Sequence, residues 1–484
     1  MSILAAYAVP HPPLIVPRVG GGRERNIQAT IDAYREVARR IADLAPETIV
    51  ISSPHSTSYL DYLHISGGTG ARGTFAQFGD RADGSRVTYD EEFVDALCRA
   101  ADARDLPAGT AGERNPDLDW GVLVPLHFVQ EEYEQRADTG VELPAYRVVR
   151  IGLSGLSPRA HYQLGELVQH VAEELGRRCV FIASGDLSHK MKEDGPYGFA
   201  PDGPVFDDFI CRAFSEGDLL SLLTADPGMC ERAAECGLRS FQIMAGALDR
   251  TPVQAELLSH EGPFGVGYGI AAFTPTGAAG SDASRAIGDQ YDAWHADDMA
   301  RRKAAESPWV QLARYSLESY VREGRRIDPT HDLPDDLSNS LPDELFSTQA
   351  GAFVSLKKDG QLRGCIGTIL PTRDTLAAEI CANAISAGCR DPRFSPVEAD
   401  ELDELVYDVD VLSVPERISG PEELDPKRYG VIVSASRGRR GLLLPDLDGV
   451  DTVEEQIRIA ARKGGINPDE SSVTLERFTV TRHL

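Results

Sequence analysis

The chain has 484 residues, of which 42% are hydrophobic and 26% charged, and its formal net charge is −27. That length exceeds one hydrophobic core and implies two domains or three. The negative excess repels phosphate backbones and excludes nucleic acid as a broad, charge-driven partner.

Residues 3–17 read ILAAYAVPHPPLIVP. An apolar run of strand length ends in His11, and Pro12 and Pro13 stop further pairing because proline gives no N–H to a ladder. The prolines also interrupt the run well short of membrane-spanning length, and no basic region precedes it. Neither a signal peptide nor a membrane anchor is expected. Ile27, Ile31, Tyr34, Val37, Ile41 and Leu44 then recur at helical spacing, as on an amphipathic helix covering a sheet face. A second short strand, TIVISSPH, ends in His55. Residues 66–85 read as loops or an irregular hairpin and 91–104 as a helix. The segment DWGVLVPLHFV reads as a helix beginning near Asp119, with Pro125 kinking it or marking its start. A strand over 146–154 and a helix over 161–176 follow. A third strand, CVFIASGDLSH, runs from Cys179 into a polar loop holding His189. Helical patterns over 205–223 and 229–249 and a glycine-spaced strand over 265–273 complete the region. Strands alternating with helices imply an α/β domain over residues 1–275, a mainly parallel sheet with helices on both faces.

From 276 to 306 the composition shifts to Gly, Ala, Ser, Asp and Arg, which reads as a linker with a partly helical end. Residues 307–484 read as a smaller α+β domain. Helices are expected over 309–321, 376–387 and 453–463 and strands over 352–356, 362–370 and 406–414, without regular alternation. Eight scattered cysteines, none in a CxxC pair, read as reduced thiols in a cytoplasmic protein.

In open α/β sheets the carboxyl ends of strands form the ligand crevice, so separate strands can bring His11, His55 and His189 together. Two imidazoles and a carboxylate suit Fe(II), Mn(II) or Zn(II) and form the ligand set of non-haem iron oxygenases. Glu235, in AAECGLRSFQIMAGAL, is the best carboxylate on offer, because the helical pattern Leu238, Phe241, Met244 holds its backbone. Its alternative use is pairing with Arg239 one turn on. His64, His161 and His170 carry no motif, and His260 is a candidate to support the site from behind.

The segments VPHPP (9–13), SPH (53–55), SGDLSH (184–189) and ECG (235–237) resemble class III extradiol ring-cleavage dioxygenases of the LigB type, and their non-oxygenase relative Memo. The resemblance implies that His11, His55 and Glu235 hold Fe(II), with Zn(II), Mn(II) or Cu as alternatives. It also implies that His189 is the acid/base residue near a phenolic small-molecule substrate and dioxygen. In the Memo branch a cysteine lies at the carboxylate's place, which makes the adjacent Cys236 the alternative ligand. Ring-cleaving members commonly read Asp-His-Gly where this chain has Asp119-Trp120-Gly121, and an indole cannot transfer a proton. His127, seven residues on and on the same helix face, is the candidate substitute.

In the second domain LRGCIGT (362–368) sets the Cys365 thiol between glycines, where a ligand or another backbone can come close. Arg363 is placed to lower the thiol pKa. The same residues also read as a buried cysteine in a tight strand. DPRF (391–394) is a rigid loop whose Arg393 either binds an anion or pairs with Asp391. Both stretches resemble the AMMECR1 family, which implies a cleft around Cys365 but no established reaction. A LigB/Memo-like domain fused to an AMMECR1 domain resembles the AmmeMemoRadiSam arrangement. That implies a radical-SAM protein as partner, since this chain lacks a CxxxCxxC motif. The expected partners are therefore a small-molecule substrate and a radical-SAM protein, with self-association open and no nucleic acid or membrane.

Overall fold

Strand periodicity divides the first strand between two hydrophobic clusters. In β1 (Ile3–Val9), Ala6 and Ala8 enter one cluster and Ala5, Tyr7 and Val9 the other, because successive side chains point to opposite faces. The computed structural model describes residues 2–447, 449–467 and 473–484, and the chain divides into two units, Met1–Trp294 and His295–Leu484.

The first unit is built on a six-stranded mixed sheet. Its strands are β1, β2 (Thr48–Ser53), β3 (Arg147–Gly152), β4 (Cys179–Ser184), β5 (Val253–Glu261) and β6 (Tyr268–Pro275), in the order β3-β2-β4-β1-β6-β5. The pairs β3/β2, β2/β4 and β4/β1 are parallel. β6 joins β1 and β5 antiparallel, so the expected parallel sheet carries an antiparallel edge pair. His260, expected just before the last strand, lies within β5.

Helices cover both faces. Helix α1 (Gln28–Leu44) buries Tyr34, Val37 and Ile41 on one side, each worth about 1.5–3 kcal/mol of burial. Helix α2 (Trp120–Asp138) shares that cluster. It begins where Asp119 caps it by accepting from the Val122 amide, so Pro125 lies inside the helix rather than at its start. Helices α3 (Pro158–Glu174) and α4 (Leu238–Ala247) pack on the opposite face.

The second unit holds two four-stranded antiparallel sheets. Helices Pro308–Glu323 and Leu376–Cys389 share a hydrophobic cluster with one sheet, and Val453–Lys463 shares one with the other. Among the described residues no helix is long and apolar enough to cross a membrane.

Helices α3 and α4 touch through glycines. A methyl group at Gly246 would overlap the Tyr162 carbonyl, and one at Gly165 the Ile243 carbonyl. Gly246→Ala is therefore expected to cost about 1–3 kcal/mol through overpacking. Denaturant unfolding followed by circular dichroism should show an earlier first transition; an unchanged midpoint would mean the helices separate freely.

Candidate metal centre

Strands β2, β4 and β1 lie side by side and parallel, with Val9 opposite Ser184 and Ser52 opposite Ala183. Their carboxyl ends therefore finish level. Two residues beyond the end of each strand stand His11, His55 and Asp186. The turn after β1 is pinned: the His11 amide donates to Asp186 Oδ1 at 2.7 Å, and the Tyr34 hydroxyl donates to the Pro10 carbonyl. Cys236 arrives from the loop before α4. This approach needs glycine on both sides, since a methyl at Gly185 would overlap the Gly237 backbone.

His55 Nε2 lies 2.9 Å from His11 Nε2, and Cys236 Sγ lies 3.7 Å from the same nitrogen. The ligand atoms of these three residues are all within 4.8 Å of one another, as are those of Asp186, His189 and Cys236. Two metal–ligand bonds of about 2.0–2.3 Å at a tetrahedral angle hold their ligand atoms about 3.3–3.8 Å apart. The first group thus fits around a single ion after small adjustment. His11 Nδ1 is 3.0 Å from Ser184 Oγ; with that hydroxyl accepting, Nε2 presents its lone pair to the centre. The His55 ring stacks on the Trp120 indole, with centroids 3.9 Å apart.

The electrostatics suit a cation. Burial lowers His11 to about 3 and His55 to about 4, so both imidazoles are neutral near pH 7, the ligating form. Burial, reinforced by Asp186 and Glu235, pushes the Cys236 thiol well above its usual value. A bound ion must displace that proton. Burial also pushes Asp186 up to about 6 and lowers His189, which stacks on Tyr197 with centroids 5.0 Å apart.

Other expected residues stand elsewhere. The Glu235 carboxylate joins neither group: it accepts from the Leu238 amide at 2.7 Å, occupying the first turn of α4, and Cys236 takes the place beside His11. His127 packs against Phe75 and Phe128 and also joins neither group. Seven residues along α2 carry it about 10 Å past Trp120, so sharing a face does not bring it to the same place. His260 pairs with Asp207 at 2.7 Å, and Asp207 accepts from the Ser188 amide at 2.8 Å, which steadies the loop before His189. Asp186 was not picked out from the sequence, although its two-residue offset from a strand end repeats that of His11 and His55.

In the second unit Cys365 lies on the strand Gln361–Gly367. Its Sγ is 3.2 Å from Ser355 Oγ, and its amide donates to Asp391 Oδ2 at 2.9 Å. Arg363, expected to act on the thiol, is engaged by Glu401 at 2.8 Å and by the Ser395 carbonyl at 3.0 Å. Arg393 pairs with Asp391 at 2.6 Å and reaches the Cys365 carbonyl at 3.2 Å. Its guanidinium holds the Asp391 carboxyl well below the usual carboxylate range.

Residues 5–271 match the family model described as the catalytic LigB subunit of aromatic ring-opening dioxygenase. The chain belongs to the LigB family. Residues 310–483 match AMMECR1, so the LigB-family region is fused to an AMMECR1 domain. Protein CA_C1420 of Clostridium acetobutylicum is 39% identical over 490 residues, covering 100% of this chain and 99% of that protein. A Thermotoga maritima protein is 55% identical over 179 residues, 37% of this chain and 98% of its own length. The crystal structure of uncharacterized protein PH0010 from Pyrococcus horikoshii matches 36% of this chain and 88% of that chain at 33% identity, with a TM-score of 0.32.

A cavity of about 750 Å³ opens against the LigB-family site, with His55, Trp120, Asp119, Asp117, Arg72 and Arg86 in its wall. The donor set fixes how metal uptake responds to pH. The imidazoles are already deprotonated above pH 5, whereas the thiol is not, so one proton leaves per ion bound. Apparent affinity should rise about tenfold per pH unit between about pH 6 and 8. Competition against a chelator at stepped pH measures the slope, and Cys236→Ser should flatten it; a slope that survives the substitution would remove Cys236 from the ligand set.

Proposed function

We propose that the LigB-family unit is a non-haem Fe(II) oxidoreductase of the extradiol-dioxygenase type acting on a phenolic small molecule, its ion held by His11, His55 and Cys236. The observation that supports this reading is the convergence of ligating atoms from three separate stretches of chain beside a cavity of substrate size. Ferrous iron at that position supplies Lewis-acid and redox chemistry. The side chains do the rest. Ser184 orients His11, and Trp120 holds the His55 ring by stacking. His189, kept neutral by burial, is the base for the phenol proton, and the adjacent Asp186 charge favours the imidazolium that forms. Trp120 gives an aromatic ring a flat apolar wall and takes no part in proton transfer.

Cys236 and Trp120 also favour a second reading. A thiolate in place of a carboxylate is a softer donor, suited to Zn(II) or Cu. In that reading the unit is a metal-binding partner of a radical-SAM protein in a modification pathway and performs no oxygen chemistry.

Anaerobic purification, metal quantification and then addition of Fe(II), O₂ and a catechol panel separate the two. The first reading expects one ion per chain and yellow ring-opened products, with His11→Ala weakening metal binding more than about tenfold and abolishing turnover. Stoichiometric metal without ring opening transfers support to the second reading. A chain that binds no divalent ion sinks both.

A further inference from the structure

We propose that Cys211 is a peroxide-reactive thiol, the nucleophile of a Cys211–His260–Asp207 relay that stands apart from the strand-end site. The inference is independent of which ion that site holds.

Helix Asp202–Glu216 buries Phe206, Asp207, Ile210 and Phe214. Asp207 and Cys211 are four residues apart, so they stand one turn from each other on a single helix face. The helix packs on β5, the outermost strand of the sheet, and His260 reaches across from that strand to Asp207. The carboxylate is the fixed point. Its Oδ2 accepts from His260 Nε2 at 2.7 Å and its Oδ1 from the Ser188 amide at 2.8 Å, and a methyl group at Gly267 would overlap Oδ2. With Nε2 committed to Asp207, Nδ1 is the ring nitrogen left for the Cys211 sulfur, which lies within hydrogen-bonding reach of the ring. A nucleophile beside a base that a third group orients is the arrangement that activates sulfur.

The surroundings separate this thiol from its neighbours. Asp207, then Cys211, raise His260 to about 10, so its ring is an imidazolium at pH 7. An imidazolium beside a sulfur favours the thiolate, which is the reactive form. Burial instead pushes the thiols of Cys98, Cys179, Cys230 and Cys236 up. Cys236 also has imidazole neighbours, but burial keeps those neutral. Cys211 is half-buried, and the edge strand beside it leaves room for a small oxidant. The thiolate attacks one oxygen of hydrogen peroxide and the O–O bond breaks. The sulfur gives up two electrons and becomes a sulfenic acid, while the leaving hydroxide takes the His260 Nδ1 proton and departs as water. Because His260 shares Asp207 with the Ser188 amide, the thiol stands two contacts from the loop that carries His189.

The test is mass spectrometry of each cysteine peptide from the reduced full-length protein, kept in chelator so that no metal consumes the oxidant. Under limiting iodoacetamide Cys211 should be alkylated at least about tenfold faster than Cys98 and Cys230, which are equally half-buried and so control for access. Limiting hydrogen peroxide with dimedone present should place the sulfenic adduct of the first unit on Cys211. His260→Ala should slow both reactions about tenfold, and His260→Lys, which returns a cation, should recover part of the rate. In urea the cysteines should react alike, since the ranking comes from the fold. Cys211 reacting no faster than Cys98 and Cys230, an unchanged rate in His260→Ala, or an adduct on other cysteines of the unit and not on Cys211 overturns the inference. The first of these is read on the unaltered protein, so a variant that fails to fold does not shield it.

Discussion

Three adjacent parallel strands finishing at one level are the constraint on which the candidate metal centre depends. The Gly185 amide donates to the Val9 carbonyl at 2.9 Å, extending the β1/β4 ladder one step beyond the strands and locking the two departing loops together. A one-residue slip of β1 against β4 would exchange the faces of all its side chains. Tyr7 and Val9 would leave their cluster, and His11 would turn away from the crevice. Core packing and site geometry are therefore enforced by the same register, with Pro12 and Pro13 ensuring that pairing stops where the ligand begins.

A second tie acts beside the strands through a single carboxylate. Asp119 caps α2 at the Val122 amide, accepts from Ser53 at the end of β2 and from Ser56 just beyond His55, and pairs with the fully buried Arg150 of β3. Breaking a buried pair of this kind by removing one partner typically costs about 3–5 kcal/mol, because the other charge is left without compensation. Trp120, the next residue, inherits its position from that cap and so stacks on His55. The metal-side ring is held by an indole whose place is set by a buried ion pair.

α1 was legible in the sequence by its apolar stripe, the parallel strands by continuous Val/Ile-rich runs, and α2 only over its apolar first half, since its second half is polar all round. β5 was not, because VQAELLSHE at a half-exposed sheet edge mixes Glu, Ala and Leu, residues that favour helix over strand. In the second sheet of the AMMECR1 domain two strands escaped for another reason: Glu416–Ile418 has three residues and Arg440–Leu443 four, too few for a period to stand out. Within the site, the strand-end positions of His11 and His55 followed from Pro12 and Pro13 after the first and Pro54 before the second. Choosing between Glu235 and Cys236 required resolving neighbouring residues in a loop, where no periodicity says which one faces inward.

The choice between those two neighbours turns on competition for a helix terminus. The first amides of α4 have no partner within the helix, and the Glu235 carboxylate takes one of them at Leu238. Turning that oxygen toward His11 would strip the amide of its acceptor, so helix and metal compete for the same group. The thiol has no such obligation. The Asp186 amide donates to Cys236 Sγ at 3.3 Å, a contact that strengthens once the sulfur is a thiolate. One residue thus steadies the His11 turn through its side chain and the sulfur through its backbone, which couples two candidate ligands that come from opposite ends of the LigB-family region.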